Sequence, residues 1–380
     1  MNLSRGYKHA GSTPAFSLVV PTHEGSVGWL KVCLESVLSQ EDATVLELLV
    51  VLDGPASQVD TLVREVAPAA RIVRLRRRRG FAGAVAEGLR SSRGGLVGVL
   101  NDDARLDPAW VGAMLKASEE NPNAGSFASR ILREDSPETI DSAGHGLTRW
   151  GEAFSIGCGA TDGPDFDTPR EVFGAPATAA VFRRELLLDV GGIDSGMEAY
   201  LEDVDLSLRA QLLGFPCLYV PTARAWHRGS SSYGWGSEGS GRAEWLLARN
   251  RIHLLCKSMP RGPLLAAAPA VAISVLADLG HRCLSARHPL SSLRGTLEGL
   301  RSVRASLGGR GAALGGMRVP EKRVSALLRA AERDLAALPS LQEGGRYRAS
   351  RATLSRLLTS WVDSRERKTP RSQGSILENT

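Results

Sequence analysis

The sequence predicts an α/β protein with a mainly parallel, doubly wound sheet that is flanked by helices and followed by a helical C-terminal extension. Residues 16–120 alternate short apolar runs with amphipathic helical patterns, the order typical of a parallel sheet covered on both faces. The run at 45–53 is almost continuously apolar, as expected for a strand buried on both faces. Helical patterns at 292–307, 320–337 and 347–362 predict the extension.

The front half contains four predicted strands and four predicted helices. In the first helix, Leu30, Cys33 and Val37 recur on one face, which is the spacing of an amphipathic helix packed on a core. Pro108 begins the fourth helix, a position where an N–H group is not needed. In chain order the predicted elements are strand 16–21, helix 27–40, strand 45–53, helix 59–66, strand 71–75, helix 82–91, strand 96–100 and helix 108–120.

The following region is less regular. The stretch 141–169, rich in Gly, Asp and Pro, is predicted to be a long loop, and 229–241, rich in Gly and Ser, a flexible one. Residues 264–279 are apolar but contain Pro269 and Asp278. Because they fall short of the roughly 20 apolar residues that a membrane span needs, a core or interfacial helix is predicted. The other predicted elements are strands at 126–132, 172–182 and 217–220 and helices at 183–190, 203–213 and 243–257.

The composition is that of a soluble globular protein, with 43% hydrophobic and 23% charged residues among 380. Five scattered cysteines without a CxxC pair disfavour a disulfide framework or a zinc knuckle and favour a reducing cytoplasm. The polar first 14 residues do not resemble a signal peptide.

Positive charge is concentrated in the C-terminal region. Residues 281–380 contain 19 Lys+Arg and 8 Asp+Glu, whereas residues 1–280 contain 28 and 33. We expect this basic region to bind an anionic membrane surface peripherally, at the inner face of the plasma membrane. A solvated helical extension or an oligomer contact is the alternative. No nucleic-acid partner is expected, because no recognised binding signature is present.

Four polar segments follow the four strands of the front half, where ligands bind in open parallel sheets. The first strand is not followed by G-x-G-x-x-G, which disfavours a dinucleotide-dependent dehydrogenase. The segments are Pro21-Thr22-His23-Glu24, Asp53-Gly54, Arg78-Arg79-Gly80-Phe81-Ala82-Gly83 and Asn101-Asp102-Asp103.

Each segment has a functional and a structural interpretation. Asp102 and Asp103 offer the oxygen ligands that Mg²⁺ and Mn²⁺ prefer, but such a pair also forms turns and helix caps. Asp53 is suited to bind a base or a ribose, or else to shape the turn at Gly54. The arginines at 76–79 match phosphate oxygens, or they form a solvated face.

A second acidic cluster, Glu202-Asp203-Val204-Asp205, begins the predicted helix 203–213. One of its carboxylates could act as a general base in a cleft. The structural alternative is stabilisation of the helix N-terminus through the helix dipole. His227 could complete a metal site, although a single histidine is more often structural.

Taken in this order, the motifs of residues 15–257 resemble those of the inverting family 2 glycosyltransferases, in particular bacterial rhamnosyltransferase-like members. No single motif is specific, but eight motifs in the same order are. The segments that carry the resemblance are 19–23, 50–54, 80–84, 100–104, 173–175, 191–194, 200–206 and 226–227.

The resemblance implies a GT-A fold, a nucleotide-diphosphate sugar donor that is UDP- or dTDP-linked, and divalent Mn²⁺ or Mg²⁺. It implies that Asp203 is the catalytic base with Glu202 beside it, and that Asp103, Asp102 and His227 bind the metal. The implied acceptor-side residues are Gly174, Ala175, Tyr200 and Trp226. The implied nucleotide-sugar-binding residues are Pro21, Thr22, His23, Glu24, Asp53, Arg78, Gly80, Phe81, Ala82 and Asp102.

Two departures from the family pattern affect these expectations. Asn101 stands where many members have the first aspartate of a DxD motif, so the metal site would depend on fewer carboxylates and more on His227. Arg78 stands where relatives often have asparagine, and Val85-Ala86 replace a polar pair, which affects the identity of the donor.

The predicted function is inverting transfer of a sugar to a hydroxyl of a glycan or lipid-linked acceptor, in bacterial cell-surface glycan, polysaccharide or glycolipid assembly. The alternatives are an inactive nucleotide-sugar-binding scaffold and a tailoring transferase for a small molecule. A nucleotidyltransferase is disfavoured, because no glycine-rich phosphate loop follows the first strand. The predicted domains are a flexible N-terminus (1–14), a GT-A domain (15–257, with a nucleotide-binding half 15–125 and an acceptor half 126–257), a basic helical extension (258–364) and a disordered tail (365–380).

Overall fold

The computed structural model describes residues 14–42, 46–229, 241–284, 288–336 and 345–368 of the chain. The strands are β1 (Phe16–Thr22), β2 (Leu46–Leu52), β3 (Arg71–Arg74), β4 (Leu96–Leu100), β5 (Ala104–Leu106), β6 (Ser126–Arg133), β7 (Ile140–Ser142), β8 (His145–Leu147), β9 (Ala153–Ser155), β10 (Arg170–Val172), β11 (Ala179–Arg183) and β12 (Cys217–His227). The helices are α1 (Val27–Leu38), α2 (Ser57–Val66), α3 (Gly80–Ser91), α4 (Trp110–Glu120), α5 (Arg184–Asp189), α6 (Glu202–Leu213), α7 (Arg242–Ser258), α8 (Arg261–Leu284), α9 (Pro289–Arg301), α10 (Val303–Leu314), α11 (Glu321–Ala336) and α12 (Gly345–Lys368).

Ten strands form one mixed sheet in the order β10-β12-β6-β11-β4-β1-β2-β3, with β5 paired to β12 and β7 paired to β6. The first four strands run parallel to one another, and β12 runs parallel to β6. β11 is antiparallel to both of its neighbours, β4 and β6. The predicted fold class is therefore confirmed: a mostly parallel sheet flanked by helices, with further helices at the C-terminal end.

The sheet is buried on both faces, which explains the continuous apolar runs of the sequence. In β2, Leu48 and Val50 join the core beneath α1, α2 and α4, while Leu49 and Val51 join the core on the other face, beneath α3 and α6. This division follows from the alternation of side chains along a strand. Trp110 of α4 is fully buried in the first core, and its indole N–H donates to a buried hydroxyl of β6 at 2.8 Å.

The stretch 141–169, predicted to be a long loop, contains the short strands β8 and β9, which form a separate two-stranded sheet. Glycines with positive φ, including Gly144 and Gly157, form its turns, a conformation that other residues adopt only with strain. The predicted strand 172–182 is likewise divided into β10 and β11. These predictions were wrong because three-residue strands are too short to show a clear alternation.

The C-terminal helices pack on the sheet domain. Arg149, between β8 and β9, is completely buried and donates through Nε and Nη2 to the Glu332 carboxylate of α11, at 2.9 and 2.7 Å. Its Nη1 donates to Asp363 of α12 at 2.6 Å. Two of the predicted C-terminal helices, α11 and α12, are therefore anchored to the domain by a buried ion cluster.

Three regions predicted to be flexible or disordered lie almost entirely outside the described residues. They are the N-terminus 1–14, the loop 229–241 and the tail 365–380. Residues 365–368 are described, and they continue α12.

Removal of the Glu332 charge should destabilise the protein strongly, because it leaves Arg149 buried without its main counter-ion. We expect Glu332→Ala to lower the free energy of unfolding by about 3–5 kcal/mol, measured by urea denaturation. Asp334→Ala, on the same helix but in an exposed pair with Arg170, should cost less than about 1 kcal/mol. Equal losses in the two variants would contradict the buried anchor.

Candidate active site

The two acidic clusters of the sequence meet at the short segment 177–178. The backbone N–H of Ala177 donates to Asp203 Oδ2 at 3.1 Å, and the N–H of Asn101 donates to the Thr178 carbonyl at 2.9 Å. The segment before β11 therefore connects the cluster that follows β4 with the cluster that begins α6. This connection results from the antiparallel pairing of β11 with β4, which the parallel-sheet prediction did not include.

Asp103 and His227 form a second part of the site. β5 runs antiparallel to β12 with Ala104 opposite His227, and this register brings Asp103 Oδ1 to 3.4 Å from His227 Nε2. On the other side of the ring, Asp141 Oδ2 lies 2.9 Å from Nδ1. The imidazole is held between two carboxylates, of which Asp141 was not predicted from the sequence.

The two carboxylates determine the charge of the ring. Burial alone would lower the pKa of His227, but hydrogen bonds and charge attraction from Asp103 and Asp141 raise it to about 10. The ring is therefore charged at neutral pH. A metal ligand must be a neutral imidazole, so a cation that bound here would replace the proton on Nε2.

Asp103 and His227 fit a divalent cation. Adjacent ligands of an octahedral ion bound at about 2.1 Å lie about 3 Å apart, close to the 3.4 Å between these two atoms. The imidazole favours Mn²⁺ over the harder Mg²⁺, and Asp141 would orient the ring. In the described part of the chain, no group of three or more His, Cys, Asp and Glu side chains forms a metal cage. Oxygen atoms of a ligand or of water would complete the shell.

Asp102 lies next to this pair in the chain but has a different environment. Its side chain is buried close to the Ser26 hydroxyl, in the turn after β1. Burial raises the pKa of the Asp102 carboxyl to about 6, against the opposing effect of the hydrogen bond from Ser26. Asp103 is thus the carboxylate that meets the imidazole, and Asp102 supports the turn.

A cavity of about 540 Å³ lies at the carboxyl ends of β2 and β3. Its lining includes Glu24, Gly54, Asp60, Arg74 and Arg76. Glu24, predicted for the nucleotide side, and Arg76, the first arginine of the run 76–79, therefore border one cavity at the edge of the sheet where ligands bind in α/β folds, whereas Arg78 is not part of its lining.

The end of β1 carries three of the predicted nucleotide-side residues. Pro21 and Thr22 are buried in the strand, and His23 Nδ1 accepts from the Gly25 N–H at 2.9 Å. Burial and the nearby Arg78 guanidinium lower the pKa of His23, so its ring is neutral at pH 7. Its Nε2 is buried and has no hydrogen-bond partner among the described residues.

Asp53 fixes the start of α3. Its Oδ1 accepts from the Arg79 N–H at 2.6 Å and its Oδ2 from the Gly80 N–H at 3.0 Å. The exposed Arg78 places Nε 3.9 Å from Oδ2. Both oxygens of Asp53 are engaged within the protein, which supports the structural interpretation of this residue.

The start of α3 also contacts the turn that precedes α6. Gly80 has φ +76°, and a Cβ there would lie 2.6 Å from the Glu198 carbonyl oxygen, so glycine is required. The Ala82 N–H donates to the same oxygen at 2.8 Å. Phe81, in the first turn of α3, packs against the core beneath this helix. The predicted nucleotide-side segment and the turn leading to Asp203 are therefore in direct contact.

The turn before α6, residues 198–201, has a strained backbone. Glu198, Tyr200 and Leu201 have φ of +65°, +67° and +68°, a conformation that costs about 1–3 kcal/mol for each non-glycine residue. The buried Asn250 of α7 holds the turn, because its Nδ2 lies 2.8–2.9 Å from three carbonyl oxygens of residues 197–200. Sequence reasoning missed Asn250, since one polar residue in a helix carries no distinctive signal.

The three acids at the start of α6 have different surroundings. The Asp203 side chain is 19% exposed and accepts from two backbone N–H groups. Glu202 is buried, its Oε2 has no partner among the described residues, and burial next to Asp203 raises its pKa well above the ordinary range. Asp205 is fully buried and paired with Arg209 and Lys257. Asp203 is thus the member of the cluster that a ligand can reach.

The buried His145 of β8 lies behind Asp203. Its Nδ1 is 3.8 Å from Asp203 Oδ2, and its Nε2 is 3.0 Å from Ser207 Oγ. Burial lowers the pKa of His145, although Asp203 opposes this, so the ring is neutral. A Cβ at Gly174 would lie 2.2 Å from His145 Nε2, and Ala175 is also buried. The glycine predicted for the acceptor side thus provides space for this histidine.

Trp226 has a different position from the other predicted acceptor-side residues. Because side chains alternate along a strand, Trp226 lies on the face of β12 opposite its neighbour His227. The Arg105 guanidinium lies 4.0 Å from the centre of its ring. Tyr200, in contrast, belongs to the strained turn that precedes Asp203. The structure therefore brings Tyr200 close to Asp203 in the chain fold. It places Trp226 on the face of β12 opposite His227, the partner of Asp103.

Residues 17–191 match the family model of Glycosyl transferase family 2. This part of the chain belongs to glycosyltransferase family 2. The matched residues contain β1 to β4, β11 and Asp103, while α6 with Asp203 follows them. The family and the GT-A fold predicted from the motifs are confirmed, and the rhamnosyltransferase-like specificity stays a prediction.

The chain is similar to two uncharacterized bacterial proteins. It is 26% identical over 234 residues to y4gI of Sinorhizobium fredii, which covers 58% of this chain and 25% of that protein. It is 29% identical over 215 residues to MT1568 of Mycobacterium tuberculosis, which covers 55% of this chain and 65% of that protein. The chain thus spans less than two thirds of the length of either relative.

A similar solved structure is the crystal structure of GalNAc-T7 with UDP, GalNAc and Mn²⁺. The TM-score is 0.53 at 15% identity, with 69% of this chain and 51% of that chain covered. At this identity the likeness shows the GT-A fold alone.

The Asp103–His227 pair should determine the affinity of the protein for Mn²⁺. We expect Asp141→Asn, which removes the outer partner of the ring, to weaken Mn²⁺ binding about 10–100-fold, and Asp103→Asn to weaken it at least as much. Electron paramagnetic resonance of free Mn²⁺, with UDP present, measures this. The exposed Asp135→Asn should bind like the wild type. Wild-type affinity in Asp103→Asn would exclude this site.

Loss of the Asn250 amide should loosen the turn 198–201. Asn250→Asp keeps the size of the side chain but cannot donate to the three carbonyls, which would be left buried without their donor. We expect the free energy of unfolding to fall by about 1–3 kcal/mol, and the backbone amides of the turn and of the first turn of α6 to exchange faster with deuterium. Unchanged exchange there in Asn250→Asp would contradict this role.

Proposed function

We propose that the chain is an inverting, metal-dependent glycosyltransferase that transfers a sugar from a nucleotide-diphosphate donor to a hydroxyl acceptor. The proposal rests mainly on the contacts of the segment 177–178. Its Ala177 N–H donates to Asp203, and its Thr178 carbonyl accepts from the Asn101 N–H. We infer that the reachable carboxylate of Asp203 and the Asp103–His227 pair border one site at the edge of the sheet. The family of residues 17–191 supports the donor class.

In the proposed reaction, Asp203 accepts the proton of the acceptor hydroxyl as its oxygen attacks the anomeric carbon. Attack comes from the face opposite the diphosphate, the bond from that carbon to the diphosphate oxygen breaks, and the configuration inverts. Two backbone N–H groups hold the Asp203 carboxylate in place. Burial raises the pKa of the neighbouring Glu202 well above its ordinary range, which favours the neutral carboxyl and disfavours a second negative charge beside Asp203.

Asp103 and His227 would hold the divalent cation. When bound, the cation supplies positive charge for the departing diphosphate. We propose Mn²⁺ or Mg²⁺ as the cation and a UDP- or dTDP-linked sugar as the donor. UDP and Mn²⁺ are present together in the GalNAc-T7 structure, which makes them the first pair to test.

We propose a glycan or lipid-linked acceptor used in bacterial cell-surface glycan, polysaccharide or glycolipid assembly. The cytoplasmic face of the plasma membrane is the proposed location, because the basic C-terminal region would favour an anionic surface. Such acceptors lie at that surface, so peripheral attachment would bring the site to its substrate.

Substitution of the two adjacent acids tests the assignment of the base. We expect Asp203→Asn to lower kcat about 10²–10⁴-fold, since it removes the proton acceptor. Glu202→Gln replaces a buried carboxyl, whose raised pKa favours the neutral form, by a neutral group of similar size and should retain most activity. Release of the nucleoside diphosphate with acceptor present measures turnover. The reverse ranking of the two variants would contradict the assignment of Asp203.

The stereochemistry of the product tests inversion separately. Proton NMR of the newly formed glycoside should show the anomeric configuration opposite to that of the donor. Retained configuration would contradict single attack by an activated hydroxyl. Donor binding by the wild type, without turnover on any acceptor or on water, would support a binding scaffold in place of an enzyme.

A further inference from the structure

Helix α9 exposes its leucines and buries its small residues. Leu290, Leu293, Leu297 and Leu300 are 79%, 42%, 45% and 56% exposed. The buried residues of the same helix are Ser292, Gly295, Thr296 and Gly299. A soluble helix normally packs its leucines inward, so this orientation needs an explanation.

Close contact between α9 and α7 prevents the leucines from turning inward. A Cβ at Gly295 would lie 2.2 Å from the Trp245 carbonyl oxygen, and a Cβ at Gly299 would lie 3.0 Å from the Ile252 side chain. The two helices are therefore so close that only small side chains fit between them. The leucines are left on the outer face by the packing of the helix.

The exposed leucines form one stripe that continues into α10. Their spacing of three and four residues keeps them on one side of a helix. The Ser306 N–H donates to the Ser302 carbonyl at 2.9 Å across the junction of α9 and α10, and Leu307 of α10 is 45% exposed. We call residues 290–307, with these five leucines, the leucine face.

Helix α8, which contacts α9, adds further exposed apolar surface. It is the one described helix long and apolar enough to cross a membrane, at Arg261–His281, and most of that stretch is not buried. Leu265 and Leu276 are about 70% exposed. However, Arg251 of α7 donates to Ser274 at 2.7 Å and to Asp278 at 2.9 Å. These bonds fix α8 along the surface of the domain.

The charges beside the leucine face determine what kind of surface it fits. Arg294, Arg301 and Arg304 are exposed, and none has an ion pair with an acid in the part of the chain that the structure describes. A second copy of the chain docked on this face would bring the same arginines together, which is unfavourable. Anionic lipid headgroups would complement them, and acyl chains would accept the leucines.

We propose that the leucine face inserts into the interface of an anionic lipid bilayer, with Arg294, Arg301 and Arg304 at the headgroup phosphates. This refines the membrane attachment within the proposed function and identifies its contact surface. It differs from attachment by the basic charge of the tail alone, because apolar insertion persists when salt screens the charges.

Vesicle flotation with the full chain tests the proposal without any donor or acceptor. Wild type should bind vesicles of phosphatidylglycerol and phosphatidylcholine, should bind pure phosphatidylcholine more weakly, and should keep part of its binding at high salt. The variant with Leu293→Ser, Leu297→Ser and Leu300→Ser should bind about tenfold or more weakly. A control with Leu188→Ser and Leu357→Ser, which are 72% and 63% exposed on other helices, should bind like wild type.

Unchanged thermal unfolding of the triple variant would show that the loss of binding is not a loss of fold. Absence of vesicle binding by wild type, or equal binding by the triple variant and wild type, would overturn the proposal. The proposal would also be overturned if light scattering showed that the wild type is a dimer, that the triple variant is a monomer, and that neither protein binds vesicles. An inactive chain that still binds vesicles through the leucine face would refute the transfer reaction and leave this proposal standing.

Discussion

The left-handed turn at residues 198–201 is the constraint on which the site depends. Its backbone is unfavourable in isolation, and it persists because two helices hold it. Helix α7 supplies the Asn250 amide, and α3 supplies the Ala82 N–H together with the space left by Gly80. The turn fixes the direction in which α6 begins. It thereby determines that Glu202 is buried while Asp203 remains accessible.

The first two acids of each acidic cluster have different surroundings and therefore different roles. Glu202 and Asp102, the first acid of each pair, lie in buried positions that raise the pKa of the carboxyl. The second acid of each pair contacts another part of the candidate site. Asp203 accepts from the segment before β11, and Asp103 lies beside the imidazole of His227. The raised pKa of Glu202 favours its neutral form beside Asp203, whereas Asp102, with a pKa of about 6, is mostly ionised at pH 7. The sequence alone does not show which surroundings each acid of a pair has.

The fold of the front half could be predicted because strands buried on both faces appear as apolar runs. The polar segments at the ends of these strands predicted where the candidate site lies. The contributions of Asn250, His145 and Asp141 could not be predicted, since each acts through contacts between distant parts of the chain. The leucine face illustrates the same limit. Its spacing is that of an ordinary core-facing helix, and only the packing of small residues on α7 shows that it points outward.

Whether the two acidic clusters serve one site is tested most directly by a crystal structure with UDP and Mn²⁺, in which anomalous scattering locates the manganese. We predict manganese on Asp103 Oδ1 and His227 Nε2, with diphosphate oxygens in its shell. The Asp203 carboxylate should border the same ligand-filled space. Manganese bound elsewhere, with Asp103 and His227 still paired to each other, would contradict a shared site.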